Sequence, residues 1–167
     1  MSTVVLVGAP GSGKSTIGAL LAERLNVTFR DVDAVIVERT GRSITEIFTD
    51  DGEAAFRALE EQLTAELLPL PGVLSLGGGA VLSAATRNAL RGHRVIWLKV
   101  GLAQSVKRVG LDTARPLLLG NVRGRLRKLL DERAALYREV ATEGIDTDHT
   151  TPADVVQMIM NAHAPQH

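Results

Sequence analysis

Short apolar runs alternate along the chain with longer segments in which apolar residues recur every three or four positions. Runs of about four to eight residues between turn signals are typical of buried strands, whereas the longer recurrence is typical of helices that bury one face. Strands are predicted at 4–7, 27–33, 73–76, 95–100 and 144–147. Helices are predicted after 16, after 43, at 51–68, after 83, at 101–109, at 122–140 and from 152. This alternation favours a parallel α/β sheet covered by helices on both faces.

Length and composition narrow the class of protein. The 167 residues suit a single domain spanning 1–167, and the balance of 19 basic and 19 acidic residues gives no net field toward nucleic acid or membranes. Cysteine is absent, which excludes disulfides and thiol chemistry. No apolar run reaches membrane-spanning length, and the first strand begins almost at Met1 without a leader pattern. We therefore expect a cytoplasmic protein, working as a monomer, with no nucleic-acid or membrane partner.

The first strand leads into segment 8–16, GAPGSGKST, which has the G-x-x-x-x-G-K-[ST] pattern of a P-loop. Its glycines let backbone N–H groups turn toward phosphate oxygens, and the next helix points its positive end at the same anion. Lys14 can reach the β- and γ-phosphates, and the Ser15 hydroxyl can bind Mg²⁺. Because a strand precedes and a helix follows, we expect a nucleoside triphosphate site and not a glycine-rich turn that binds nothing. The candidate ATP-binding residues here are Gly11, Ser12, Gly13, Lys14, Ser15 and Thr16.

Two acids end the second predicted strand. Residues two apart on an extended segment point the same way, so Asp31 and Asp33 should face together. The carboxyl ends of strands border the ligand crevice in open α/β sheets, which places both acids beside the phosphates. The alternative is local: Asp33 caps a helix and Asp31 makes a turn.

Two further candidates are weaker when taken alone. Arg57 and Glu60 lie one turn apart on the helix predicted at 51–68, and at 100° per residue Glu60 lies about 40° from the centre of the apolar stripe of that helix. A surface ion pair worth a few tenths of a kcal/mol is the simple interpretation. Gly77, Gly78 and Gly79 follow the third strand and allow close approach of backbone to a ligand, although a flexible turn would have the same composition.

Two arginines come later in the chain. Segment 110–120 has no helical period and a glycine at each end, which is typical of a lid, and Arg115 could bring charge over a transferring phosphoryl group. Arg133 falls within the apolar stripe of the helix at 122–140, where an unpaired guanidinium is costly. Either an anionic partner meets it or the side chain extends past Tyr137 to solvent.

These residues together resemble the shikimate kinases, over nearly the whole chain. The matching segments are GAPGSGKST at 8–16, DVD at 31–33, TGRSI at 40–44, FR at 56–57, SLGGGA at 75–80, RPLL at 115–118 and RAALY at 133–137. The resemblance implies a three-layer α/β/α P-loop kinase fold, similar to nucleoside monophosphate kinases, with a five-stranded parallel sheet in the order 2-3-1-4-5. It also implies a lid at about 110–121 and a substrate-binding helical region at about 33–61.

The implied reaction transfers the ATP γ-phosphoryl group to the 3-hydroxyl of shikimate. By this resemblance Lys14, Asp33 and Arg115 are catalytic, with Asp33 the candidate base, and Ser15 and Asp31 hold Mg²⁺. The implied substrate-binding residues are Asp33, Arg57, Gly78, Gly79 and Arg133. Arg108 and Arg115 are the implied ATP contacts outside the P-loop, with Arg108 beside the adenine.

One loop departs from the family pattern. Many relatives carry an arginine near adenine before the last helix, whereas segment 148–152 is DHTTP here, so base contacts from this loop are in doubt. The nearest alternatives are a nucleoside monophosphate kinase or gluconate kinase and, in another class, a nucleotide-dependent switch. The segment after Asp33 is too short for a large monophosphate-binding insertion, and the Asn-Lys-x-Asp segment of a guanine-specific switch is absent.

Overall fold

A computed structural model describes residues 4–100 and 122–162. Its strands are β1 (Val4–Val7), β2 (Phe29–Asp31), β3 (Val73–Ser75), β4 (Val95–Lys99) and β5 (Glu143–Asp146). Its helices are α1 (Lys14–Leu25), α2 (Val32–Thr40), α3 (Ile44–Asp51), α4 (Glu53–Leu67), α5 (Ala84–Ala89), α6 (Val122–Val140) and α7 (Pro152–Ala162), with a short 3₁₀ turn at Ala80–Leu82.

The five strands form one parallel sheet in the order β2-β3-β1-β4-β5, which confirms the predicted topology. Alternate residues of the central strand β1 point to opposite faces, and all four are at most 1% exposed. Val4 and Leu6 pack into a core with residues of α1 and α7. Val5 and Val7 pack into a second core that includes residues of α2, α4 and α6. Both faces of the sheet are therefore covered, as the continuous apolar runs predict.

Three predicted helix starts are confirmed by their caps. The Ser43 hydroxyl accepts from the Glu46 N–H at 3.1 Å, the Ser83 hydroxyl from Thr86 N–H at 3.1 Å, and the Thr151 hydroxyl from Asp154 N–H at 3.2 Å. Each cap satisfies a backbone donor that has no partner within its own helix.

Two predicted boundaries are wrong. The strand predicted at 27–33 ends at Asp31, because the Asp31 side chain accepts from the Asp33 N–H at 2.9 Å and starts α2 at Val32. The helix predicted at 51–68 begins at Glu53, because Gly52 has φ of 89° and separates α3 from α4. The helix predicted at 101–109 and the lid at about 110–121 lie outside the described residues.

Candidate active site

The site forms where three strands end at the same edge of the sheet. The P-loop follows β1, the acids follow β2 and the triple glycine follows β3. These segments line a cavity of about 290 Å³. The lining residues that the sequence also selected include Gly11, Gly13, Lys14, Ser15, Thr16, Asp31, Asp33 and Gly78. The predicted phosphate site and both predicted acids thus belong to one cavity.

The P-loop backbone has the conformation that its glycines permit. Gly11 and Gly13 have φ of 80° and 91°, in the left-handed region that side chains disfavour. The Lys14 ammonium lies over the loop and donates to the carbonyls of Gly8 at 2.7 Å and Ala9 at 3.1 Å. Burial lowers the pKa of Lys14 to about 8, against the opposing charges of Asp33 and Asp31. The lysine is therefore a fixed cation that loses its proton at a lower pH than an ordinary lysine.

Two hard oxygen donors meet next to the lysine. The Ser15 hydroxyl donates to Asp31 Oδ2 at 2.9 Å, while the other Asp31 oxygen caps α2. Mg²⁺ in phosphate-transfer sites takes one or two protein oxygens and completes its shell with water and phosphate oxygens. No cluster of three or more His, Cys, Asp or Glu with metal-ligand geometry occurs in residues 4–100 and 122–162. This pair, without a full protein cage, fits magnesium bound together with a nucleotide.

Asp31 and Asp33 were predicted to face together because both would lie on an extended segment. That reason is wrong, because Asp33 lies in the first turn of α2. The cap made by Asp31 turns the chain into a helix and still directs both carboxylates into the cavity. Asp33 Oδ1 is buried without a hydrogen-bond partner. Burial raises the pKa of Asp33 to about 6, helped by the charges of Asp31 and Glu60 and opposed by Lys14. A carboxyl with this pKa suits proton transfer near neutral pH.

Arg57 and Glu60 form an ion pair in which the glutamate is buried, so the interpretation as a surface ion pair is wrong. Arg57 Nη1 donates to Glu60 Oε1 at 2.9 Å, and the Glu60 side chain is only 4% exposed. The guanidinium also lies over the Phe56 ring, 5.3 Å from its centroid, and 3.6 Å from Glu53. The arginine is thus held in one orientation, and it lines a neighbouring cavity together with Glu60 and Gly79. Glu60 was not predicted as a site residue. The available signal was its position close to the apolar stripe of its helix.

The three glycines pack so closely against neighbouring side chains that a Cβ at any of them would clash. A Cβ on Gly77 would lie 2.8 Å from a Glu60 carboxylate oxygen, and one on Gly78 would lie 2.9 Å from Pro10 Cδ. A Cβ on Gly79 would clash with the Arg57 guanidinium. The interpretation as a plain flexible turn is therefore wrong, because close packing requires glycine here.

Helix α6 reaches the site through Tyr137 and Arg133. Tyr137 is 1% exposed, and its hydroxyl donates to the Gly78 carbonyl at 2.5 Å. Arg133, one turn earlier, is half-buried. Placing its charge there therefore costs less free energy than full burial within the predicted apolar stripe would. Burial raises the pKa of Tyr137, and the nearby Arg133 charge opposes that rise; the same charge contributes to the lowered pKa of Lys14, which is mainly due to burial. No site role was predicted for Tyr137 from the sequence.

A second cavity of about 250 Å³ lies on the other side of the P-loop. It is lined by Ser12, Gly13, Thr16, Ile17, Thr147, Thr150 and Pro152. Segment 148–152 therefore borders the P-loop even without the arginine of many relatives. Arg108 and Arg115, the two predicted ATP contacts outside the P-loop, lie outside the described residues.

Comparisons with known proteins identify the family. A family model described as shikimate kinase matches residues 10–164. A shikimate kinase of Thermobifida fusca is 53% identical over 93% of this chain and 91% of its own length. One from Saccharopolyspora erythraea is 54% identical over 93% and 90%. A solved structure of the shikimate kinase from Acinetobacter baumannii in complex with shikimate superimposes with a TM-score of 0.89 at 38% identity, covering 95% of this chain and 90% of that one. The chain belongs to the shikimate kinase family.

Proposed function

We propose that this protein transfers the γ-phosphoryl group of ATP to the 3-hydroxyl of shikimate, giving shikimate 3-phosphate and ADP. The observation that carries the proposal is a single cavity that joins the P-loop lysine to the partly buried Asp33 carboxyl, with the fixed Arg57 lining a neighbouring cavity. Family membership supports the choice of acceptor, since the Acinetobacter baumannii relative was solved with shikimate.

On the donor side, residues 11–16 would hold the triphosphate with backbone N–H groups and the N-terminus of α1. The Lys14 ammonium, now on the Gly8 and Ala9 carbonyls, lies where it can turn to the transferring group. Phosphoryl transfer depends mainly on positioning and charge stabilisation, which a fixed cation supplies. The second cavity, next to Thr150 and Pro152, would take the adenine. The roles predicted for Arg108 and Arg115 remain predictions.

Ser15 and Asp31 would hold Mg²⁺, which would neutralise phosphate charge when bound. Their side chains already lie 2.9 Å apart, so the Ser15 hydroxyl and the Asp31 carboxylate could hold the same ion.

On the acceptor side, the Asp33 carboxylate would accept the proton of the attacking hydroxyl. Its raised pKa makes it a better base than an ordinary aspartate and leaves it mostly ionised at neutral pH. Arg57 and Arg133 would bind the substrate carboxylate, with the backbone of Gly78 and Gly79 against the ring. Planar guanidinium groups suit a carboxylate because they can donate two parallel hydrogen bonds. All of these groups come from one chain, and we propose that the monomer is the working unit.

A coupled assay of ADP release tests the proposal. Shikimate, gluconate and a panel of nucleoside monophosphates are supplied in turn with ATP and Mg²⁺. We expect ADP release that depends on shikimate and on magnesium. Faster turnover with gluconate or with a nucleoside monophosphate would overturn the assignment, and ADP release that needs no acceptor would indicate an ATPase or a switch.

A further inference from the structure

The three backbone carbonyls of residues 77–79 accept hydrogen bonds from different kinds of donor. The Gly77 carbonyl accepts from Ala80 N–H at 3.1 Å and the Gly79 carbonyl from Leu82 N–H at 3.1 Å, and these bonds build the 3₁₀ turn. The Gly78 carbonyl accepts from the Tyr137 hydroxyl instead. The central peptide of this segment is therefore held by a side chain 59 residues away.

The hydroxyl that holds Gly78 is itself held firmly. The Tyr137 ring is buried and lies 5.7 Å, centroid to centroid, from the Trp97 ring of β4. Burial raises the pKa of Tyr137 to about 12, so the group keeps its proton and stays a donor at every pH where the protein works. A second link holds α6 beside the same segment, because Arg87 bonds the carbonyls of Val81 and Leu82 and pairs with Glu139 at 2.9 Å.

Gly78 also contacts the P-loop. A Cβ on this glycine would lie 2.9 Å from Pro10 Cδ, so the residue has van der Waals contact with Pro10 on one side and a hydrogen bond from Tyr137 on the other. Since the Arg133 charge acts on the Tyr137 hydroxyl, interactions run from Arg133 through Tyr137 to Gly78 and on to Pro10. Its two ends are the proposed acceptor carboxylate site and the phosphate loop.

We infer that Tyr137 is a positioning residue for the phosphoryl acceptor. Its hydroxyl sets the orientation of the Gly78 peptide and of the Arg133 guanidinium at once, and through them the place of the acceptor ring relative to the P-loop. In this role it acts through Gly78 and Arg133 and not by bonding to the reacting atoms. This inference rests on the proposed function, because it assumes that Gly78 and Arg133 bind the acceptor.

Tyr137→Phe removes the hydroxyl and keeps the ring, so the core around Trp97 stays filled. We expect the KM for shikimate to rise by about fivefold or more, the size typical of losing a neutral hydrogen bond, while the KM for ATP changes by less than about twofold. A tyrosine that only stabilises the fold would not separate the two KM values. The chain has one tryptophan, Trp97, so its fluorescence also gives a dissociation constant for shikimate without turnover, and this constant should rise by the same factor.

Trp97→Phe is the matched control, because it alters the same aromatic pair and leaves the hydroxyl and the Gly78 carbonyl in place. It should lower the melting temperature by about 2–4 °C without separating the two KM values. A KM for shikimate in Tyr137→Phe within about twofold of wild type would overturn the inference, as would the same separation of KM values in the control. If wild-type ADP release is independent of shikimate, the proposed function fails and this inference fails with it. A normal wild type with an unaffected Tyr137→Phe variant overturns the inference alone.

Discussion

Replacing Asp33 by Asn should make the ligand-free protein more stable at neutral pH while abolishing phosphoryl transfer. The carboxyl lies in the cavity with one oxygen buried and unpartnered, near the carboxylates of Asp31 and Glu60. Ionising a group in such surroundings costs free energy that the unfolded chain does not spend. Asparagine keeps the shape and carries no charge, so it removes this cost together with the candidate base.

The magnitude follows from the two pKa values. The pKa of Asp33 rises from the ordinary 3.8 to about 6 in the folded protein, and at about 1.4 kcal/mol for each pKa unit this difference corresponds to about 3 kcal/mol. Between these pH values the folded state binds more protons than the unfolded state, so the free energy of unfolding falls as pH rises. The stability of the Asn variant relative to wild type should therefore increase by about 2 kcal/mol or more from pH 4 to pH 7.5, and then level off.

Chemical denaturation of both proteins at a series of pH values measures this difference directly. Asp50→Asn is the control, since this exposed carboxylate is 4.0 Å from Arg42 on the surface, and its effect should stay within about 0.5 kcal/mol at every pH. A stability difference between Asp33→Asn and wild type that does not change with pH would refute the reasoning. It would mean that Asp33 ionises as easily in the folded protein as in the unfolded chain.

Three other substitutions test the remaining roles. Lys14→Met should abolish phosphoryl transfer in a folded protein, and turnover within about tenfold of wild type would remove Lys14 from that role. Asp31→Asn should raise the Mg²⁺ concentration needed for half-maximal activity, whereas Asp33→Asn should still bind MgATP; identical Mg²⁺ titrations in the two variants would contradict this division. Arg133→Met should weaken shikimate binding more than Arg133→Lys does. Arg133→Met should also extend ATP binding to higher pH, because the Arg133 charge helps to lower the pKa of Lys14, which is about 8 in the wild type. An unchanged pH dependence of the ATP dissociation constant would show that Arg133 and Lys14 are not coupled.

The sheet could be predicted because its central strands are largely buried. Val4–Val7 and residues 95–98 are continuous apolar runs, which a parallel sheet between two helical layers requires. The ends of elements were harder to predict, because single side chains decide them. Asp31 could continue a strand or cap a helix, and its hydrogen bond to the Asp33 N–H decides for the helix.

The P-loop and both acids could be predicted because their chemistry is local in the sequence. Glu60 and Tyr137 could not be assigned in the same way, because their partners come from distant segments. Periodicity placed Glu60 near a buried stripe but could not show that Gly77 would lie against its carboxylate. Tyr137 fitted the apolar stripe of its helix, and nothing in the pattern indicated a carbonyl at Gly78 as the partner of its hydroxyl.

The two arginines of the proposed acceptor site differ in how far their charge is already neutralised. Arg57 is paired with the buried Glu60 at 2.9 Å, so its orientation is set before substrate arrives and its net attraction for an anion is reduced. No salt bridge to Arg133 occurs within the described part of the chain, and its charge acts on Lys14 instead. We infer that Arg133 supplies most of the attraction for the acceptor carboxylate, while Arg57 supplies a fixed hydrogen-bonding direction. An acceptor carboxylate on Arg133 would also screen that charge from Lys14 and favour the protonated lysine, so filling the acceptor site would strengthen the cation on the donor side. The pH dependence of ATP binding, measured with and without saturating shikimate, tests this coupling, and equal profiles would exclude it.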